Sequence, residues 1–529
     1  MREPLPDNFF FAKQIIQNAH NTIVASFGGN EVKIMKYIST RGISRAAVSS
    51  ATAIKQGLAS DGGLFMPTDI PSINIDFLEK LTSLSYPKRC AEILSLFLKD
   101  YSYDEILEDA QAAYDEVKFK GGIAPVTELS DSLFMLELWH GPTAAFKDMA
   151  LQLMPRLFTR AMKKCGETRE ALILVATSGD TGKAALEGYK DIDGILLKVF
   201  YPTDGVSAMQ KLQMQTQTGK NLSVSAIRGN FDDAQSRVKE IFSSAECNKV
   251  LEEDGVFLSS ANSINFGRLV PQIVYYFSAY IDMYKSKKIA LGEKIDVVVP
   301  TGNFGNIFAA FIAKNMGLPI DKLICASNKN DVLCEFLRTG RYNSRRPFYS
   351  TASPSMDILI SSNLERLLYV LFGQERCAEL MTRFSATGEY QLTANELSQV
   401  QEHFIGYSAT DEEGSKLIKN VYEQKNSLID THTAVALVAA EKYALEYKAK
   451  NNILVVSTAS PYKFAHEVLL SIFGIKENAI SAPDVLEGLT KTTMPEPISS
   501  IRKKEIIHKK IIEKTDMWKS TLDFVRTEK

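Results

Sequence analysis

No C-x-x-C pair, no H-x-x-x-H or H-E-x-x-H motif and no apolar run long enough to cross a bilayer occurs in the sequence. The six cysteines, Cys90, Cys165, Cys247, Cys325, Cys334 and Cys377, are scattered, which reads as reduced, packed thiols in a reducing compartment. The six histidines lack ligand spacing, so no metal site is expected. Neither sign of charge is in excess: 61 basic against 63 acidic residues leave a net charge of −2. That balance carries no nucleic-acid footprint. The basic cluster Arg502-Lys503-Lys504 and Lys509-Lys510 alternates with Ile and Glu, the pattern of a solvated face. Internal repeats and low-complexity tracts are absent. Residues 1–34 lack a charged stretch followed by an apolar one and carry Glu3 and Asp7, so no targeting peptide is expected and the cytoplasm is the expected location.

What is present fits a globular protein. The 529 residues are 45% hydrophobic and 23% charged, with room for roughly two to four packed units. Residues 1–34 read as an N-terminal extension ending in a Gly28-Gly29-Asn30 break. Residues 35–120 read as a mostly helical N-terminal domain. From 121 to 480, short apolar strands alternate with helical patterns, the signature of a mostly parallel α/β sheet with flanking helices. The strands expected are 171–176, 194–201, 222–227, 296–300, 323–327 and 452–458. Residues 328–451 carry mainly helical patterns and read as a helical insertion. Residues 481–529 form a C-terminal segment.

Ligands of open α/β sheets bind beyond the carboxyl ends of strands, which directs attention to four junctions. The alternating run Leu133 to Trp139 ends in His140-Gly141-Pro142-Thr143-Ala144-Ala145-Phe146-Lys147-Asp148, followed by a helical pattern from Asp148 to Met162. Lys147 thus stands where strand, turn and helix start meet. A lysine desolvated at such a junction has a lowered pKa and a usable amine, the requirement of Schiff-base chemistry. After the strand 171–176 comes Thr177-Ser178-Gly179-Asp180-Thr181-Gly182-Lys183, hydroxyls and glycines at a helix start, an anion-binding arrangement. It departs from a P-loop, which needs glycine where Thr177 stands and Ser or Thr where Ala184 stands. After Val297 to Pro300 comes Thr301-Gly302-Asn303-Phe304-Gly305-Asn306, able to turn consecutive N–H groups onto one phosphate. No lysine follows to reach further phosphates, which favours a monophosphate. After Ile453 to Val456 come the hydroxyls of Ser457 and Thr458. A further loop, Asn262-Ser263-Ile264-Asn265-Phe266-Gly267-Arg268, suits an oxyanion or phosphate before an apolar helix.

One lysine amine, one monophosphate cup, one carboxylate-type anion site and one neutral hydroxyl partner together compose a pyridoxal phosphate site. The chain resembles the threonine synthase family, which is of the tryptophan-synthase-β-like, fold type II, pyridoxal phosphate enzymes. The resemblance runs from Met35-Lys36-Tyr37-Ile38-Ser39-Thr40-Arg41-Gly42 through Asp61-Gly62-Gly63-Leu64-Phe65-Met66-Pro67 and the lysine block to Pro461-Tyr462-Lys463-Phe464. It implies that Lys147 is the catalytic residue and carries pyridoxal 5'-phosphate covalently. It implies that Gly302, Asn303, Phe304 and Asn306 line the cofactor phosphate, that Thr458 faces the ring nitrogen, and that Asp180 borders the ring hydroxyl. Thr177, Ser178, Gly179 and Thr181 would receive the substrate carboxylate, and Ser263, Asn265 and Arg268 the substrate phosphate. The implied reaction is O-phospho-L-homoserine plus water to L-threonine plus phosphate. The same residues would equally serve a phospho-lyase giving 2-oxobutyrate, ammonia and phosphate. The expected partner is the small-molecule substrate alone, with no nucleic acid or membrane, in a monomer or homodimer. The sequence departs from the family pattern at Lys183, where serine is common, at Phe266-Gly267 for Trp-Ala, at Ser460 for His, at Tyr462 for Ala and at Thr431 for Pro. Lys183 and Phe266-Gly267 fall in loops expected to meet the substrate.

Overall fold

Aliphatic and β-branched residues fill the central strands so completely that Ile195–Pro202 and Ile295–Pro300 are buried at every position. That is the pattern of parallel strands covered by helices on both faces. The computed structural model describes residues 35–42, 46–177, 179–204 and 206–527. The extension read at 1–34 and the site residue Ser178 lie outside the described residues.

The strands of the two larger sheets are, in chain order, Val126–Ser130 (β1), Leu133–Glu137 (β2), Glu170–Ala176 (β3), Ile195–Pro202 (β4), Leu222–Arg228 (β5), Val256–Ser259 (β6), Ile295–Pro300 (β7), Ile320–Ser327 (β8), Phe404–Ser408 (β9), Asn452–Ser457 (β10) and Ile511–Glu513 (β11). The helices that matter for the site are Asp148–Leu151 (α1), Met154–Lys164 (α2), Asp180–Gly188 (α3), Ala208–Gln215 (α4), Phe266–Leu269 (α5), Pro271–Lys285 (α6), Gly305–Met316 (α7), Thr431–Tyr447 (α8) and Met517–Thr527 (α9).

A six-stranded sheet has the order β9-β8-β7-β10-β2-β1, parallel except for the β1–β2 hairpin. In its middle, Leu454 of β10 lies between Val297 of β7 and Phe134 of β2. A five-stranded, all-parallel sheet has the order β11-β5-β4-β3-β6. The chain therefore starts the first sheet, leaves it at β2 to build the second, and returns at β7. That excursion brings the loops after β2, β10 and β7 side by side at the carboxyl ends of three neighbouring strands, where the fold offers a ligand site.

Two expectations are corrected. The helical pattern from Asp148 to Met162 is two helices, because Pro155 lacks the N–H that a continuous helix needs and sits instead in the first turn of α2. The helical insertion at 328–451 contains β9, which pairs with β8 from Leu323↔Phe404 to Ser327↔Ser408. Its sequence, Phe-Ile-Gly-Tyr-Ser, is too short and mixed to stand out among helical neighbours, and tertiary pairing decides its state. The C-terminal segment adds β11 to the edge of the second sheet, and α9 buries Met517, Phe524 and Val525 against that sheet's helix-covered face.

Three of the departures from the family pattern, Lys183, Phe266 and Tyr462, are outside the lining of the strand-end cavity. Lys183 is buried, bonding Glu187 at 2.8 Å and Gln217. Phe266 packs on Tyr37 at a centroid distance of 4.9 Å within the core. The Tyr462 hydroxyl donates to the Thr492 carbonyl at 3.0 Å.

Candidate active site

The lysine loop is fixed before its lysine is considered. Thr143 donates its N–H and hydroxyl to the Asp148 carboxylate at 2.8 and 2.7 Å, which closes the turn ahead of α1. Gly141 has no alternative here, since a Cβ would lie 2.7 Å from Asp148 and 2.9 Å from Phe119. The loop is tied to the neighbouring strand end: the Phe146 N–H donates to the Thr458 carbonyl at 2.8 Å, and the Ser460 N–H to the Ala144 carbonyl at 3.1 Å. Lys147 and Thr458 are thus held by one backbone ladder.

The Lys147 side chain is 13% exposed, and its Nζ lies 3.6 Å from Oδ2 of Asp180, the first residue of α3. Burial is the largest influence on this amine and lowers its pKa to about 8, with Arg268 and Lys463 acting in the same direction and Asp180 opposing. Asp180 is buried, and burial alone would raise its pKa. Four contacts reverse that: Lys463 at 2.8 Å, Lys147, the Gln210 amide at 2.8 Å and the Ser355 hydroxyl at 3.1 Å hold the carboxyl well below the ordinary carboxylate range.

The loop after β7 is built to take an anion. Phe304 adopts a left-handed conformation at φ 62° and caps α7 without any side-chain bond, so the first N–H groups of that helix have no internal partner. Tyr275 and Tyr276 hydroxyls both donate to Oδ1 of Asn306, at 2.6 and 2.5 Å. The other end of the same amide, Nδ2, is buried with no hydrogen-bond partner among the described residues. A buried amide N–H pair without an acceptor is costly, and a phosphate in this loop satisfies it. Gly302 keeps the loop close to the wall, because a Cβ there would lie 3.1 Å from Ile358 and from the Ser355 carbonyl.

In the loop after β3, the Thr177 hydroxyl accepts N–H groups from Gly179 at 3.0 Å and Gly182 at 2.9 Å. Gly179 has φ 144° and its missing Cβ would strike Gln210 at 2.4 Å, so only glycine serves. Thr181 accepts from Arg268 at 3.4 Å, and Arg268 also donates to the Ala261 carbonyl at 2.9 Å. Burial lowers the Arg268 pKa to about 10. Neither of these two partners carries a charge to balance the guanidinium.

These loops surround one cavity of about 1210 Å³. Lys147, Thr458, Gly302, Asn303, Phe304 and Asn306 line it, as do Thr177, Thr181, Ser263 and Arg268. Asp180 reaches it through Lys147. Gly179 shapes the loop from behind. Asn265 does not reach it: its amide bonds the Ile54 and Ser260 carbonyls and the Gly267 N–H, fixing α5. Sequence reasoning missed Lys463, Gln210, Ser355 and His432. Only Lys463 left a signal, a lysine inside the apolar run Pro461 to Ala465 just beyond a buried strand. His432 lines the cavity and accepts the Ser355 N–H at 3.2 Å, while its other nitrogen bonds Asp430 at 2.7 Å.

A buried reactive amine and an anion cradle at adjacent strand ends define the class, a pyridoxal-phosphate dependent enzyme of fold type II, and residues 123–459 match the family described as "Pyridoxal-phosphate dependent enzyme". Residues 36–114 match "Threonine synthase N terminus". The chain belongs to the threonine synthase family. It is 37% identical over 440 residues to threonine synthase of Pseudomonas aeruginosa, covering 82% of this chain and 90% of that one. It is 39% identical over 443 residues to threonine synthase-like 1 of Homo sapiens, where it spans 81% of this chain but only 59% of the human protein's length. The crystal structure of PLP-bound threonine synthase from Brucella melitensis superposes with a TM-score of 0.81 at 32% identity, covering 93% of this chain and 99% of that one.

Proposed function

We propose that the protein converts O-phospho-L-homoserine and water to L-threonine and phosphate. The observation that carries this reading is the presence of two anion-binding groups in the lining of one cavity. One is the Asn306 cradle, and the other is the buried Arg268 guanidinium, to which no carboxylate is bonded among the described residues. A cofactor phosphate and a substrate bearing a second phosphate account for both.

Pyridoxal phosphate, when bound, supplies the electron sink for charge that develops beside the substrate amino group. Lys147 holds the cofactor covalently. The N–H groups at the start of α7, the Asn306 amide and the Gly302 turn hold its phosphate. Thr458 would offer the ring nitrogen a neutral hydroxyl rather than a carboxylate. Thr177, Thr181 and the N-terminus of α3 take the substrate carboxylate, and Arg268 with Ser263 takes the substrate phosphate.

Once released, the Lys147 amine is the group placed to move protons at Cα and then Cβ. Phosphate departs from Cγ towards Arg268, the Lys147 ammonium returns a proton to Cγ to complete the methyl group, and water then adds at Cβ as a proton goes back to Cα. Asp180 stays ionised throughout and gives the passing ammonium a counter-charge. The test is one incubation of the purified chain with O-phosphohomoserine, read for both amino acids and keto acids. Threonine and phosphate in equal amounts are expected. Accumulation of 2-oxobutyrate and ammonia in place of threonine overturns the assignment.

A further inference from the structure

Asp180 is shared by two lysines, and the second one has no part in the function proposed above. Lys463 is fully enclosed, with a side-chain exposure of 0%. Its Nζ lies 2.8 Å from Oδ1 of Asp180 and donates to the Thr143 carbonyl at 3.0 Å. Gln210 donates to the same oxygen, Oδ1, at 2.8 Å. Oδ2 is left to the Ser355 hydroxyl at 3.1 Å and to Lys147 at the longer distance of 3.6 Å. The tight ion pair in this site is therefore Asp180–Lys463, and Lys147 lies just outside it.

The arrangement has a chemical consequence. A lysine whose one carboxylate neighbour is undivided stays an ammonium and is a poor nucleophile and base. A carboxylate already neutralised by a second ammonium raises its neighbour's basicity much less. Lys463 also fixes the position of both parts it touches. Through Thr143 it holds the turn that leads to Lys147, and through Asp180 it holds the start of α3. The charged groups facing the Lys147 amine are Asp180 from α3, Arg268 from α5 and Lys463 from the turn after β10.

We propose that Lys463 is a positioning residue that engages the Asp180 carboxylate and so keeps the Lys147 amine available as nucleophile and base. This rests on the assignment of Lys147 as the cofactor-bearing lysine, and the test separates the two. Burial and the two neighbouring cations already lower the Lys147 pKa to about 8. Removal of Lys463 takes away one repelling charge and frees Asp180 for Lys147, and both changes raise it.

The experiment is pH-dependent reductive methylation of the cofactor-free enzyme with formaldehyde and cyanoborohydride, quantified at Lys147 by peptide mass spectrometry. In Lys463→Met the labelling midpoint of Lys147 is expected to rise by about one pH unit or more. Lys463→Arg, which keeps the charge, is expected to stay within a few tenths of the parent. Should Lys463→Met fail to fold, Lys463→Gln retains a donor for the Thr143 carbonyl while removing the charge, and the same rise is expected. A folded, uncharged variant whose Lys147 midpoint does not move overturns the assignment to Lys463. Borohydride reduction of the holoenzyme reports the anchoring lysine separately: cofactor fixed to a lysine other than Lys147 overturns the proposed function instead.

Discussion

Tyr275 donates its hydroxyl to Oδ1 of Asn306 at 2.6 Å, deep beneath the loop that follows β7. The bond fixes which end of the amide faces inward, so Nδ2 is the end presented without a partner. Removal of that hydroxyl leaves only Tyr276 to orient the amide. Tyr275→Phe is expected to weaken cofactor binding by about 1 kcal/mol, a fivefold rise in dissociation constant. Asn306→Ala, which removes the donor itself, is expected to lose about 1–3 kcal/mol. Titration of the cofactor-free protein with pyridoxal phosphate measures both, and equal affinities for the parent and Asn306→Ala would refute the phosphate assignment.

The proposed role of Arg268 in holding the substrate phosphate predicts that its loss affects substrate and cofactor differently. It is buried, it lines the same cavity as Asn306, and among the described residues its guanidinium bonds a carbonyl and a threonine hydroxyl. Arg268→Met is expected to cost about 2–4 kcal/mol in kcat/KM, because a charge-assisted contact to the substrate anion is lost. Cofactor affinity is expected to stay near the parent value. Arg268→Lys keeps charge but not the forked geometry and is expected to recover only part of the loss. Steady-state kinetics beside cofactor titration distinguishes these; loss of cofactor rather than of substrate would place the guanidinium on the wrong phosphate.

The pH dependence of cofactor attachment follows from the sign of the Lys147 shift. Its pKa is lowered from 10.5 to about 8, burial being the main cause. The neutral amine is the reactive form, so its fraction rises with pH through a midpoint at about 8. The rate at which cofactor-free protein takes up pyridoxal phosphate is expected to follow that curve. Asp180→Asn removes the charge that favours the ammonium and is expected to shift the curve to lower pH. Stopped-flow absorbance of the bound cofactor is the readout, and a midpoint near 10 in the parent would contradict a desolvated lysine.

How much of this was legible beforehand depends on whether a residue acts through its local sequence. Lys147, Gly302 to Asn306 and Thr458 each follow a continuous apolar strand, and parallel strands announce themselves by such runs. The loops could be read as ligand-facing because the carboxyl ends of strands are where ligands bind. Asn265 looked like a ligand group and proves to be a structural cap, since an asparagine before a helix has the same sequence signature in both roles. Ser355 and Gln210 reach Asp180 from 175 and 30 residues away. Separations of that size leave no periodic or motif trace. The strand Phe404–Ser408 was hidden for a related reason, since its state is set by pairing with β8 rather than by its own propensity.

Lys198 provides a prediction about stability rather than chemistry. It lies on β4, 1% exposed, with its Nζ 2.8 and 2.9 Å from the hydroxyls of Ser223 and Ser225 on β5. Its ring neighbours are Phe200 and Phe524, the latter on α9. Burial lowers its pKa from 10.5 to about 7. A base with a lowered folded pKa binds fewer protons in the native state than in the unfolded one between those two values. Stability therefore rises with pH from about 7 to 10.5, and the cost of burying the lysine is fully present below about 7. Lys198→Met keeps the length of the side chain and removes the titration. It is expected to stabilise the fold by about 1–2 kcal/mol at neutral pH, after the two serine hydroxyls lose a partner. Above the unfolded lysine pKa the advantage is expected to vanish. Thermal melts of parent and variant across that range decide the matter: parallel pH profiles would mean that Lys198 is charged and solvated in the folded protein, and that α9 does not seal the sheet face above it.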